Sequence, residues 1–277
     1  MRIALANHRI KIEGEGKLSM VKSPNIGGPL DPRYLVIHYT AGQSADAAVS
    51  WLANKASKAS AHAVIGRDGS ITQLVPFNRV AFHTGVSSWD GIQGLSPYAI
   101  GFELDNAGRL KRVGNSWRSW FGRIYPDDDV IAAVHKHDTV TYGWHTYTEA
   151  QINSAIDLGA ELFARYNLLD VVGHDDIAPR RKWDPGPAFP MHSFRSKLIG
   201  RENETPQILQ TARSLNVRSG PGFQHSKILT GSVPENTRLE VLDKEGTWYF
   251  VDVLDEVEGD MDIQGWVHSR HLRSIEL

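Results

Sequence analysis

Two histidines close apolar runs of strand length: His38 ends YLVIH at 34–38, and His174 ends DVVGH at 170–174. A lone histidine in such a place is usually a packed structural residue. A pair is different, because adjacent strands of one sheet can deliver both imidazoles to one edge. The loop after His174 reads DDIAPRRKWDPGP, and loops at strand ends are where sites are built. Pro179, Pro185 and Pro187 each fix φ in it, so Asp184 can serve as a rigidly held third ligand. Two histidines and one carboxylate with an open fourth position make the donor set of a catalytic zinc site, not a closed structural one. The His-x9-Asp spacing is not diagnostic by itself.

Composition narrows the chemistry. The 277 residues include 30 Lys+Arg, 32 Asp+Glu and 12 His, but no Cys. Disulfides, thiol nucleophiles, Fe–S clusters and Cys-ligated zinc are excluded. Any metal must be held by His, carboxylates or carbonyls. A net charge of −2 gives no global attraction to nucleic acid or anionic lipid. No run approaches the roughly 20 apolar residues of a membrane helix. Neither a nucleic-acid partner nor membrane insertion is expected. Residues 1–16 alternate polar and apolar types and lack the uninterrupted apolar core of a signal peptide.

The elements that must position these residues alternate between strand and helix. Strand-like runs occupy 34–38, 62–66, 70–75, 99–104 and 170–174, with Arg67-Asp68-Gly69 as a hairpin signal between the second and third. Ser44 precedes Ala45, Ala48, Val49, Leu52, Ala53 and Ala56, one face of a helix with a serine N-cap. Thr148 to Gln151 forms a capping box that opens a second helix, with Ile152, Ala155, Ile156, Gly159, Leu162, Phe163 and Tyr166 on one face. An α/β fold with helices packed on a sheet follows. The stretch 107–146 is too long for a plain connection and holds Trp117, Trp120, Tyr125, Tyr142 and Trp144, with His135, His137 and His145 nearby. It reads as a lid, a groove wall or a local subdomain. Its aromatics either stack on sugars or form a satellite core, the second being slightly favoured.

A polar linker, GRENETPQ at 200–207, divides the chain into 1–205 and 206–277. The second part carries 7 basic and 11 acidic residues, six of the acids between Asp252 and Asp262. The net charge of −2 therefore hides +2 and −4 halves. Short strands and turn signals at 219–222, 244–246 and Gly265 suggest a small all-β barrel.

Six segments carry a resemblance: VIHYTAG (36–42), SAHAVIGRDGSITQLV (60–75), AFHTG (81–85), AIGFELDN (99–106), YTEAQ (147–151) and VVGHDDIAPRRKWDPGPAFP (171–190). In this order they resemble the zinc-dependent N-acetylmuramoyl-L-alanine amidases, the group that also holds the animal peptidoglycan recognition proteins. The resemblance implies a mixed sheet flanked by helices and one Zn²⁺ per catalytic domain. It also implies cleavage of the amide between N-acetylmuramic acid and the L-alanine of the peptidoglycan stem peptide. Carried over by position, His38, His174 and Asp184 are the metal ligands. Glu103 is the catalytic acid–base and Lys182 the oxyanion stabiliser. The alternation in 99–104 agrees, since Glu103 shares its face with the small residues Ala99 and Gly101. Phage members place a tyrosine before the histidine matched by His62, where this chain has Ala61, which throws the base role onto Glu103. Three further residues, His83, His62 and Arg180, are candidates for binding substrate. His83 alternatively shapes the groove wall, and His62 reads as a packed strand residue that can support a ligand from behind. Arg180 and Arg181 either pair with stem-peptide carboxylates or are solvated loop charges.

The second part resembles the bacterial SH3-type modules through LNVRSGPG (215–222), GSVPENTRLEVL (231–242), TWYFV (247–251) and GWVHSRHL (265–272). Such modules imply binding to peptidoglycan. Together the readings give a two-domain peptidoglycan hydrolase whose partners are peptidoglycan and muropeptides. The alternatives are a non-catalytic peptidoglycan binder and a zinc hydrolase cutting another amide of the stem. The wall module favours action in the periplasm or outside, after delivery that bypasses a signal peptide, over cytoplasmic recycling.

Overall fold

A computed structural model describes residues 2–199, 207–260 and 263–275. The linker expected at 200–207 lies outside the described residues up to 206, as does Asp262 of the acidic run. The chain forms two compact units, 1–199 and 200–277.

In the first unit a six-stranded sheet runs in the order 170–173, 34–39, 99–104, 63–65, 71–73, 18–20. The first four are mutually parallel, and the 63–65 and 71–73 strands form an antiparallel pair. The sheet is therefore mixed. The two central strands are covered on both faces, which is why they read as nearly continuous apolar runs. Leu35, Ile37, Ile100 and Phe102 face one way, against Ala155, Leu158 and Leu162 of the Glu149–Tyr166 helix. Tyr34, Val36 and Ala99 face the other way, and alternation puts His38 and Glu103 on that second face.

The helix starts sit where the caps place them. Ser44 Oγ accepts from Ala47 N, 3.2 Å, and the helix runs Ala45–Leu52, shorter than its apolar spacing suggests. Thr148 and Gln151 exchange both capping-box bonds at 3.2 Å. Upstream, Arg2–Ala6 and Arg9–Glu13 pair as a hairpin through Asn7 and His8, both at positive φ, and insert Ile3 and Ile10 into the core.

The stretch 107–146 folds as a five-stranded antiparallel sheet, ordered 124–125, 116–118, 109–113, 141–145, 130–134. It has a small core of Ala107, Leu110 and Tyr125 backed by Trp117, Phe121 and Val130. It is thus a local subdomain, though Trp144 turns away from that core, its ring packed over Gly186 of the loop that carries Asp184.

The second unit is all-β. Its antiparallel strands run in the order 263–268, 248–253, 238–245, 208–211, 272–274, around Val217, Val233, Leu239, Val251 and Val267.

Candidate active site

Strand register assembles the site. His38 and Glu103 are direct partners across adjacent parallel strands. On the other side Gly173 pairs with Ile37, so His174, one residue further, arrives level with His38. His174 begins a short helix, His174–Ile177. Gly173 must lack a side chain, since a Cβ there would lie 2.8 Å from Pro185 Cδ. That close approach brings Asp184 back onto the strand ends. Asp175 N donates to Asp184 O at 2.7 Å, and Tyr147 Oη donates to Pro185 O at 2.8 Å, pinning the loop from two sides.

The protons on the imidazoles can be followed from the backbone outward. His174 Nε2–H donates to Thr84 O, 3.1 Å, which leaves Nδ1 with a bare lone pair. His83 Nε2–H donates to Ala99 O, 3.1 Å, so His83 Nδ1 accepts, and it accepts from His38 Nε2–H at 3.0 Å. His38 Nδ1 is therefore also bare. Burial, with His174 alongside, pushes the His38 pKa down to about 4, and burial holds His83 well below the usual histidine range. Both rings are neutral near pH 7.

Those two lone pairs meet. His38 Nδ1 and His174 Nδ1 lie 2.8 Å apart, and Asp184 Oδ2 is 2.9 Å from the first and 2.8 Å from the second. All three residues are buried. With both imidazoles neutral, three lone-pair atoms converge on one point, an arrangement that a bound cation relieves. Their spacing leaves room for an ion at about 2.0–2.1 Å from each, the usual zinc distance to nitrogen and carboxylate oxygen. Among the described residues this is the one group of three such side chains that can hold a metal.

Glu103 stands beside it. Its Oε2 is buried and has no hydrogen-bond partner among the described residues. Burial, then the charge of Asp184, raises its pKa well above the carboxylate range, while the nearby Lys182 ammonium opposes the shift. Lys182 acts on His38 too, which places its charge over the same site.

Of the three residues named for substrate contact, His62 follows its other reading, that of a packed strand residue. His62 is fully buried, its Nε2–H given to Arg79 O and its Nδ1 taken by Gly101 N–H, both at 3.0 Å. It leads into a hairpin strand covered on both faces and cannot touch a ligand. His83 is bonded behind His38 as described above. Arg180 is exposed on the loop. Its neighbour Arg181, exposed as well, donates to Thr84 O and Val86 O at 2.7 Å, and so braces the same carbonyl that orients His174. Sequence reasoning gave Arg181 no such part, and nothing in two adjacent arginines distinguishes them.

Comparison with known proteins agrees with this architecture. Residues 28–187 match the family model described as N-acetylmuramoyl-L-alanine amidase, and residues 213–273 match the bacterial SH3 domain. The chain is 33% identical over 177 residues to the N-acetylmuramoyl-L-alanine amidase AmiD of Escherichia coli K12, covering 61% of this chain and 54% of that protein. It is 33% identical over 141 residues to the 1,6-anhydro-N-acetylmuramyl-L-alanine amidase AmpD of Citrobacter freundii, covering 50% and 57%. The chain thus spans about half the length of these curated relatives. A solved complex of E. coli AmiD with anhydro-N-acetylmuramic acid-L-Ala-D-gamma-Glu-L-Lys aligns at 27% identity and a TM-score of 0.47, over 74% of each chain. The family is in general zinc-dependent. The first match covers more than half of the chain, which therefore belongs to the N-acetylmuramoyl-L-alanine amidase family and carries a bacterial SH3 domain after it.

Proposed function

We propose that the 1–199 unit hydrolyses the amide between N-acetylmuramic acid and the L-alanine of a peptidoglycan stem peptide, with one zinc held by His38, His174 and Asp184. The observation that carries this reading is the convergence of three proton-free donor atoms next to the orphaned Glu103 Oε2. Zinc bound there supplies Lewis acidity toward the carbonyl and lowers the pKa of water to about 7.

The chain's own groups do the rest. Glu103 takes the proton of the attacking water and returns it to the alanine nitrogen, which leaves only when protonated. Lys182 balances the negative charge that grows on the carbonyl oxygen, and loss of one such stabiliser typically costs about 3 kcal/mol in the barrier. His83 and the Thr84 carbonyl keep the two imidazoles turned with Nδ1 inward.

A digest of defined muropeptides read by mass spectrometry tests the proposal. The expected products are a peptide beginning with L-alanine and a free N-acetylmuramic acid end. Intact substrate that is bound but not cut would make the unit a receptor, and cleavage inside the stem would make it a different hydrolase. Action at the wall, not in cytoplasmic recycling, belongs to the same proposal and rests on the attached SH3 domain. Cell fractionation with a tagged chain checks it.

A further inference from the structure

We propose that Arg109 is a binding residue for a carboxylate on the leaving stem peptide, a site that builds on the amidase reading above. Arg109 opens the Arg109–Val113 strand of the inserted sheet, far in sequence from every metal ligand. Its guanidinium carbon lies 4.3 Å from the ring centre of Trp183 and 4.5 Å from that of Tyr142. Trp183 stands between Lys182 and the ligand Asp184. On its other side, the backbone just before Arg109 packs closely on the ring of Tyr39, the residue after the ligand His38. Gly108, at φ +71°, makes that possible, because a Cβ there would lie 2.5 Å from the Tyr39 ring. Chain neighbours of two metal ligands therefore hold Arg109 at the site.

What they hold is an oriented and unspent cation. Two aromatic faces favour the charge without using the N–H edge of the guanidinium. Among the described residues no carboxylate pairs with Arg109, although other arginines of the chain, Arg33, Arg195 and Arg238, each find one. A planar group fixed at its faces and open at its donor edge fits a carboxylate through two parallel N–H···O bonds. A stem peptide whose second residue is a γ-linked glutamate presents such a group: its α-carboxylate stays free, one residue beyond the bond to be cut. The inserted sheet then has a function beyond support, because it carries this cation to Trp183, the residue before the ligand Asp184.

The test compares two muramyl tripeptides that differ only in that position, one with the free α-carboxylate and one with the carboxamide. Wild-type chain should favour the acid at least tenfold in kcat/KM. Arg109→Gln should raise KM about tenfold on the acid with kcat nearly unchanged, and alter the carboxamide less than twofold. Arg109→Lys, which keeps charge but not the fork, should fall between. Zinc content should match wild type in both variants. A wild type indifferent to the substitution, or an Arg109→Gln variant equally impaired on both substrates, overturns the proposal and leaves the amidase reading intact. A wild type that cleaves neither substrate overturns both.

Discussion

Two clusters of histidine and aspartate sit against the same short helix, and only one is built for a metal. The first joins His38, His174 and Asp184. The second joins His135, Lys136 and His137 of the inserted sheet to Asp175 and Asp176. There, His135 Nε2–H donates to Asp175 Oδ2, 2.9 Å, and His137 Nε2–H donates to Asp175 O, 3.0 Å. Lys136 Nζ lies 2.9 Å from Asp175 Oδ1 and 2.5 Å from Asp176 Oδ1, and Gly173 N donates to Asp176 Oδ2. Asp175 Oδ1 makes no hydrogen bond but has the Lys136 ammonium beside it, and each of the other three carboxylate oxygens faces a donor. The residue types are those of a metal site, but the protons are already in place and the cation is built in. What makes the first cluster different is a surplus of lone pairs, set by the backbone carbonyls of Thr84 and Ala99. The second cluster is a latch. It fastens the inserted sheet to the segment that bears His174 and Asp184, and His135 stacks on Trp144 and contacts Trp183 as it does so.

The largest effect should come from attacking the surplus directly. His38→Ala and Asp184→Ala are each expected to drop bound zinc from about one per chain to near zero and to abolish turnover. Elemental analysis after gel filtration is the check, and retention of stoichiometric zinc by either variant would erase the distinction between the clusters. Glu103→Gln should separate binding from chemistry: zinc stays near one per chain while kcat falls about 10²–10⁴-fold. A subtler test leaves all three ligands in place. His83→Phe fills the same space but offers His38 Nε2–H no acceptor, so the tautomer is no longer held. Zinc affinity should fall about 10–100-fold, measured by competition with a chromogenic chelator. Unchanged affinity would mean that the His83 relay does not orient the ligand.

The latch answers to a different measurement. His135→Phe preserves an aromatic ring between Trp144 and Trp183 but removes the donor to a buried carboxylate, a loss of about 1–3 kcal/mol. Urea unfolding of the zinc-free chain should show that loss, while zinc stoichiometry stays near one. Were zinc lost instead, the second cluster would be part of the metal site.

Much of this was legible in the sequence, and the gaps have physical causes. The strands that carry His38 and Glu103 and both helix caps show local signals: continuous apolar runs, Ser44 before an apolar stripe, Thr148 three residues before Gln151. The ligand triad could be named because a resemblance supplied what spacing could not. The 107–146 insertion was legible by its length, with a local subdomain among its readings, but its strands were not, because they are short and charged, as RLKRV at 109–113 shows, and each finds its partner only through the others. The N-terminal hairpin shows alternation but turns on Asn7-His8, without the glycine that usually announces such a turn. The part played by His83 depends on a carbonyl 16 residues away, and the hold of Arg181 on the Thr84 and Val86 carbonyls depends on a loop distant in sequence, which no local pattern encodes.

A histidine with neither metal nor carboxylate isolates the same proton logic. His62 is wholly enclosed, and both its ring nitrogens are committed to backbone groups in the neutral form. Burial pushes its pKa down to about 4, against a smaller opposing pull from Arg79 O. In the unfolded chain it titrates near 6.5. Between those values the unfolded state takes up a proton that the folded state refuses, so stability must fall as pH drops from about 6.5 toward 4. Above 6.5 this contribution levels off. The slope approaches about 1.4 kcal/mol per pH unit for one such group. Other buried histidines add slopes of their own, so the useful quantity is a difference. His62→Gln can still donate to Arg79 O but cannot titrate. Compared in the zinc-free state by urea unfolding, wild type should lose about 1 kcal/mol more than this variant between pH 6.5 and 5.5, and only about 0.1 kcal/mol more between pH 8 and 7. Parallel curves across both intervals would mean that the folded protein accepts the proton on His62, and that its enclosure does not hold the ring neutral.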